Sequence, residues 1–495
     1  RYSVSAGAFD FESDGFRENN HLSHEIQNIY GQMAITPELN IQAEFAHRDT
    51  EHGDLAMNFG EDDFDSTFER DFEEDIGRIG LRYSPNPRSD LLISAIKSER
   101  EQDTIGQIEQ SVETGVPRIT GFLPSPPFPP GIPIIEFVDV TTDASQVTST
   151  GEESEQLELQ YLHQRPDLNL VTGATLAEVE QEYEILNKLA FTPSDTVIGA
   201  GIDDPFAVEP EIEDTRAYVY GYFSAPNRVA WTLGLSYHDY DEDDIDFDRY
   251  NPKLGVQWAV TDALSLRAAW FKVVKPALAS NRTLEPTQVA GFNQYFDDTN
   301  ATRSERLGLA ADMRVSRKLF FGTEFSRREL KTPEFFIVST TDWDVSYLDW
   351  EEWTHRAYVY WTPADRWSLS AEVVYDRFEG DEDTLINNNP LEVRTNSLPL
   401  RVQYFHPSGF FAGVGVTYVD QEVERSDVAT YSEGDDDFTL TDVSIGYRFP
   451  KRMGIASLSV QNATDREFDY QDDSFREFQD EPSSGPYIPD KTVMA

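Results

Sequence analysis

The sequence predicts an all-β protein, a large antiparallel transmembrane β-barrel of about 20–22 strands, and three observations carry that expectation. Alternating apolar and polar runs of about ten residues recur from end to end, as a wall between lipid and water requires. Tight turns such as Pro363-Ala364-Asp365 alternate with long acidic connections. No apolar run is long enough for a membrane helix, so any crossing must be made by strands.

The elements follow from the turns. Short connections fall near Thr36-Pro37-Glu38, Ser84-Pro85-Asn86, Arg165-Pro166-Asp167, Ala225-Pro226-Asn227, Asp262, Arg317, Ala364, Ser408 and Lys451. Longer ones lie around 12–24, 49–74, 101–153, 182–214, 239–248, 274–303, 330–350, 378–392, 421–436 and 466–489. Together they join about twenty strands, with both chain ends on the short-turn side. That arrangement predicts short periplasmic turns and long acidic extracellular loops, in the outer membrane of a Gram-negative bacterium, with outer-membrane lipid and lipopolysaccharide as surroundings. The whole of 1–495 reads as a single barrel domain, because no linker divides it.

Individual hairpins show the period. Leu254, Val256, Trp258 and Val260 alternate with Lys253, Gly255, Gln257 and Ala259. After Thr261-Asp262-Ala263, the residues Leu264, Leu266, Ala268 and Trp270 alternate with Ser265, Arg267 and Ala269. The same grammar holds for Trp367–Tyr375 and for Val443–Phe449. Aromatic residues near strand ends, among them Trp231, Tyr237, Trp258, Trp270, Trp361, Trp367, Tyr375, Tyr404 and Tyr447, suit two membrane interfaces.

Composition narrows the function. With 91 acidic against 40 basic residues and a formal charge of -51, the chain would repel nucleic acid. The absence of cysteine removes disulfides, thiolate nucleophiles and cysteine-ligated metals. Eight scattered histidines and the lack of a nucleophile elbow or zinc-helix motif argue against an enzyme. The start at Arg1, with neither methionine nor signal peptide, reads as a processed or incomplete chain.

Three sets of residues stand out. Arg267, Arg314, Arg328, Arg356, Arg401, Arg448, Glu324, Glu372 and Asp442 fall on the inward parity, where charges of both signs belong in a wet lumen. Asp241, Asp243, Asp244 and Asp246 supply the oxygen density that Ca2+ needs at an acidic extracellular loop, without the spacing of an EF-hand. Phe122, Leu123, Phe128, Ile132 and Ile134 interleave with prolines between 116 and 137, which predicts an extended polyproline-like arm that docks surface proteins.

Two stretches resemble a known family. Tyr250-Asn251-Pro252-Lys253-Leu254-Gly255-Val256, followed by Leu264-Ser265-Leu266-Arg267-Ala268-Ala269-Trp270 and Lys275-Pro276, is similar to the mid-barrel signature of TonB-dependent outer-membrane receptors. Leu458-Ser459-Val460-Gln461-Asn462-Ala463-Thr464-Asp465-Arg466-Glu467-Phe468 resembles their penultimate strand, and Asp490-Lys491-Thr492-Val493 the start of their last. The resemblance implies a receptor that takes up a scarce solute through a gated barrel. It also implies an inner-membrane TonB complex as partner, engaged through an N-terminal plug that this chain does not contain. An export barrel, for example for exopolysaccharide on a periplasmic helical-repeat scaffold, and a surface-assembly anchor are the alternative readings.

Overall fold

The computed structural model describes residues 1–494 apart from 108–113, 123–132, 141, 192–202, 244, 297, 340–341, 382–388, 428 and 477–485. In chain order the strands are β1 (Tyr2–Ser13), β2 (Leu22–Ala34), β3 (Leu39–His52), β4 (Glu69–Asn86), β5 (Ser89–Gln107), β6 (Thr114–Phe122), β7 (Pro133–Val140) and β8 (Thr142–Gln164). They continue with β9 (Leu168–Phe191), β10 (Asp203–Val208), β11 (Glu211–Phe223), β12 (Val229–Glu242), β13 (Ile245–Ala259), β14 (Leu264–Val274), β15 (Gln288–Val289) and β16 (Phe292–Asn293). The remainder are β17 (Arg303–Ser316), β18 (Leu319–Ser339), β19 (Asp342–Trp361), β20 (Trp367–Glu379), β21 (Glu392–Phe405), β22 (Phe410–Glu424), β23 (Gly434–Arg448), β24 (Ile455–Gln461) and β25 (Thr492–Met494).

All but four of these form one 21-stranded antiparallel sheet, in which each wall strand pairs with its sequence neighbours. Chain-local pairing follows from the tight turns, and β10 is a short piece alongside β9. Among the described residues no pairing joins β1 to β25, yet the two flanks of the sheet meet at the long-loop rim. Met57, from the β3–β4 connection, packs with Val419 of β22, Phe438 and Leu440 of β23, and Phe468 and Tyr470. Its N–H donates to Asp472 Oδ2 at 3.0 Å, and the Asp472 N–H donates back to Met57 O at 2.9 Å. No helix among the described residues is long and apolar enough to cross a membrane.

One face of the wall is apolar and exposed, through Phe45, Ile79, Leu157, Leu176, Val219, Leu235, Leu254, Leu309, Val373, Leu400 and Ile445. Exposed apolar side chains in a continuous band are stable only against lipid. Aromatic pairs bound the band. Trp367 meets Tyr404 with ring centroids 4.9 Å apart near the short-turn end, and Tyr237 meets Tyr250 at 5.1 Å toward the long-loop end.

Beyond that band the strands run on. The connections expected at 101–153 and 182–214 are largely strand, since β8 and β9 hold 23 and 24 residues, well over the roughly 9–11 that a crossing needs. The connection expected at 239–248 is mostly ladder as well, with Asp241 opposite Asp246. On this outward face, carboxylates confront one another across neighbouring strands. Asp75 lies opposite Glu99, Glu99 opposite Glu153, Glu153 opposite Glu180, and Glu180 opposite Glu211. A second row runs Glu155, Glu178, Glu213, Asp241, Asp246. Lys97, bonded to Glu99 and Glu153 at 3.1 Å each, is a cation set within these rows. The opposite half of the circumference differs, because there Lys272 pairs with Glu305, Arg327 with Glu329 and Glu351, and Arg394 with Glu392 and Glu422.

The proline-rich segment is not a polyproline arm over its described residues. There β6 and β7 pair as a separate two-stranded ribbon, with Phe122 opposite Pro133 and Gly121 opposite Ile134. Both strands of a lone ribbon are edges, which is where proline is tolerated. Leu123, Phe128 and Ile132 lie outside the described residues.

Two predictions follow from the rim. Glu178→Gln or Glu180→Gln removes like-charge repulsion across strands and should stabilise the folded protein by about 0.2–1 kcal/mol, read as a raised melting temperature in detergent at low salt that converges with wild type at high salt. His52, at the end of β3, is buried and bonded to Gly53 O at 2.6 Å, and burial pushes its pKa from 6.5 down to about 4. The neutral ring is therefore the stabilised form, and stability is lost as pH falls from 6.5 toward 4. Burial raises the carboxyls of Asp54 and Asp472, which act in the opposite sense, so the test is differential. Relative to wild type, His52→Gln should abolish the acid-induced increase in hydrogen exchange of residues 50–57 between those pH values.

Candidate functional site in the barrel lumen

The inward faces of β14, β17, β18, β19 and β20 bring a charged belt together. Arg267 donates through Nε to Asp312 Oδ2 at 3.0 Å and through Nη2 to Glu324 Oε2 at 3.1 Å. Arg356 donates through Nε to Glu372 Oε2 at 2.8 Å and through Nη2 to the Tyr360 hydroxyl at 2.9 Å, and Tyr358 OH donates to Asp312. Arg328 is 5% exposed and bridges Asp298 and Glu352, with the Phe296 ring 3.9 Å beneath its guanidinium. Thus Arg267, Glu324, Arg356, Glu372 and Arg328 line one inner wall.

The other inward candidates lie apart from this belt. Arg314 donates to Asp262 O at 3.0 Å at the short-turn rim, where Arg448 is also exposed. Arg401 is exposed and has no ion pair among the described residues. Asp442 accepts the Asn462 N–H at 3.0 Å and so fastens the last long connection to β23. Asp241, Asp243 and Asp246 are exposed, and their carboxylates do not converge; Asp244 lies outside the described residues. Among the described residues, the group whose ligand atoms do converge is His47, Glu73 and Asp75, on the outer face of β3 and β4.

The segment between β14 and β17, expected as an outer loop, instead folds inward. The Ala277 N–H donates to Asp214 Oδ2 of β11 at 2.9 Å, and the Ala279 N–H to Gln156 Oε1 of β8 at 2.9 Å. From Lys275 to Ala279 an extended chain reaches at most about 14 Å. Along the wall, β14 to β8 is five strand spacings, roughly 24 Å. Even with the reach of the glutamine side chain, the segment must cut across the curve of the lumen.

It then binds a row of polar side chains. Glu158 accepts Thr283 Oγ1–H and the Leu284 N–H, each at 2.7 Å, and Gln156 Nε2 donates to Arg282 O at 2.8 Å. Gln160 Nε2 donates to Leu284 O, and Arg282 Nη1 reaches Glu44 Oε2 of β3 at 3.1 Å. Tyr220 OH donates to Glu285 Oε1 at 2.7 Å. Glu158 and Gln156 are buried beneath this strap, at 1% and 3% exposure.

The return limb is held differently. β15 and β16 form a small hairpin whose turn, Ala290-Gly291, has φ of 49° and 89°, the left-handed pair of a type I′ turn. Val289, Ala290 and Phe292 pack with Ala269, Phe271, Val273 and Ala310. The Phe292 ring sits on Gly308, where a Cβ would come within 2.4 Å of it. Sequence periodicity missed these residues because they form no wall strand; the signal was the run of apolar Val289, Phe292, Tyr295 and Phe296 inside a nominally solvated loop.

Nearer the long-loop rim, a cavity of about 520 Å³ opens between the β3–β4 connection and the last connection. Glu61, Asp436, Glu467 and Asp469 line it with Arg17 and Arg466. Burial, together with Asp436, raises the Asp469 carboxyl above its ordinary range.

Three solved structures share this architecture. The ferripyoverdine receptor of the outer membrane of Pseudomonas aeruginosa superposes with TM-score 0.64 at 12% identity, covering 99% of this chain and 67% of that one. The ferric-catecholate import receptor Fiu from E. coli K12 gives TM-score 0.60 at 11% identity, covering 99% and 76%. The copper transporter OprC gives 0.64 at 12%, covering 99% and 75%. No curated protein matches the chain in sequence. The family model described as TonB dependent receptor-like, beta-barrel matches residues 36–303, more than half of the 495. With its wall, aromatic belts and inward charges in place, the chain belongs to the TonB-dependent receptor-like β-barrel family, whose members are outer-membrane transporters and not enzymes.

Proposed function

We propose that residues 1–495 act as one barrel domain that takes up a scarce cationic or metal-associated solute through a gated lumen. The observation that carries this reading is the two sets of acceptors, one at the rim and one on the inner wall. They are the carboxylates of the cavity at Glu61, Asp436, Glu467 and Asp469, and the strap's acceptors Glu44, Gln156 and Glu158. Carboxylates in a recessed surface concentrate cations and repel free anions. The names of the solved relatives, which concern ferric chelates and copper, point the same way. Energy for opening comes, on this reading, from the inner-membrane TonB complex, and the outer leaflet of lipopolysaccharide surrounds the wall.

The test is growth of a gene-deletion strain on a panel of limiting ferric chelates and copper salts. Deletion should slow growth on one source, and the plasmid-borne gene should restore it. Replacing Glu61, Asp436 and Asp469 together by the amides should raise the half-saturating concentration of that source by about tenfold or more, as expected from removing charge-assisted contacts. Indifference of the deletion strain to every source would remove the reading.

A further inference from the structure

The strap is fixed to the wall by two chemically different halves. Residues 289–292 sit in a dry apolar cluster against β14 and β17. Residues 279–285 are held mainly by hydrogen bonds to Glu44, Gln156, Glu158, Gln160 and Tyr220, apart from the Ala279 methyl against Ala46, Ile76 and Ile96. Apolar burial has no substitute in a wet lumen, whereas each hydrogen bond can be exchanged for one to water or to a solute. The polar half is thus the one that can let go.

A buried charge lies beneath it without hydrogen bonds. Arg216 of β11 is 3% exposed, and its guanidinium makes no hydrogen bond among the described residues; its ion pairs with Asp214 and Glu285 are 3.4 and 3.7 Å long. Charge attraction to Glu285 therefore helps seat the strap, but without a directional bond. Seating of the polar half rests on hydrogen bonds and ion pairs that water or a solute can replace.

We propose that residues 279–285 are a built-in stand-in ligand, occupying an acceptor site formed by Glu44, Gln156 and Glu158, and that a donor-rich cationic solute displaces them. Toward those three acceptors the stand-in offers one guanidinium, from Arg282, one hydroxyl, from Thr283, and the N–H groups of Ala279 and Leu284. A solute with several N–H or O–H donors on a positive frame reproduces that set. An acceptor-only anion does not. The inference deepens the uptake reading, on which its functional meaning rests.

The chain lacks cysteine, so Ser280→Cys in the full-length protein reconstituted in liposomes is a clean reporter of strap release. Its modification by a membrane-impermeant maleimide is followed with spermidine as donor-rich cation and citrate as acceptor-only control. Spermidine should speed labelling and citrate should not. Glu158→Gln should speed it about tenfold without any solute, as expected for weakening a charge-assisted hydrogen bond. In Glu44→Gln/Glu158→Gln the spermidine effect should disappear. Heat-modifiable migration on gels establishes that each variant is a folded barrel. Labelling that ignores both spermidine and the substitutions would overturn the proposal.

A locked variant, Ile96→Cys/Ala279→Cys, separates this inference from the uptake reading. Cross-linking should abolish the growth conferred on the limiting source, and reductant should restore it. Unimpaired growth with the lock closed overturns the strap's role and leaves the receptor reading standing. Spermidine-responsive labelling in a protein whose deletion affects no source would do the reverse.

Discussion

Everything in this molecule depends on closing the backbone hydrogen bonds of a membrane wall within the sheet itself. In hydrocarbon an unmatched N–H or C=O has no water to turn to, so each crossing strand needs a neighbour on both sides. Tight turns between sequence neighbours meet that demand at the lowest entropy cost, and they make the sheet antiparallel throughout. Once the wall is set, period two assigns every side chain to lipid or lumen. Leu157 and Leu159 face out while Gln156, Glu158 and Gln160 face in, from a single run of five residues.

That rule explains what was legible in the sequence. The turns at Pro37, Pro166, Pro226 and Ala364, the aromatic belts at Trp367 and Tyr237, and the inward parity of Arg267 and Glu324 all follow from alternation. What alternation cannot supply is the course of chain that leaves the wall. Residues 275–296 join no wall ladder, so their polarity resembled that of a solvated loop, and their destination inside was set by Val289 and Phe292 fitting against Gly308 and Phe271. The strand tops of β8 and β9 were hidden for the converse reason. Alternating glutamates at 178, 180, 182 and 184 are poor strand formers in isolation, and only pairing with β8 and β11 makes them a ladder.

The lumen shows how one chain can place strong and weak attachments side by side. The charged belt of Arg267, Asp312, Glu324, Arg356 and Glu372 lies within the wall and holds neighbouring strands in register. The strap, by contrast, joins distant strands, from β3 at Glu44 to β18 at Arg328, with the Arg306 guanidinium donating to Asn293 O at 2.9 Å between them. A polar bridge across a curved wall adds stiffness while seated and permits a wider bore when unseated.

The outward carboxylate rows have a further consequence, for the arrangement of molecules within the membrane plane. From β4 to β13 the rim above the apolar band is almost uncompensated, while from β14 to β22 arginines and lysines cancel much of the charge. The barrel therefore has an electrical front and back around its circumference. In a leaflet crowded with phosphate-bearing lipid, the negative side must recruit bridging cations before a neighbour can approach, and the compensated side need not. Close lateral neighbours should accordingly gather at β14–β22, giving an otherwise near-cylindrical protein a preferred heading about the membrane normal.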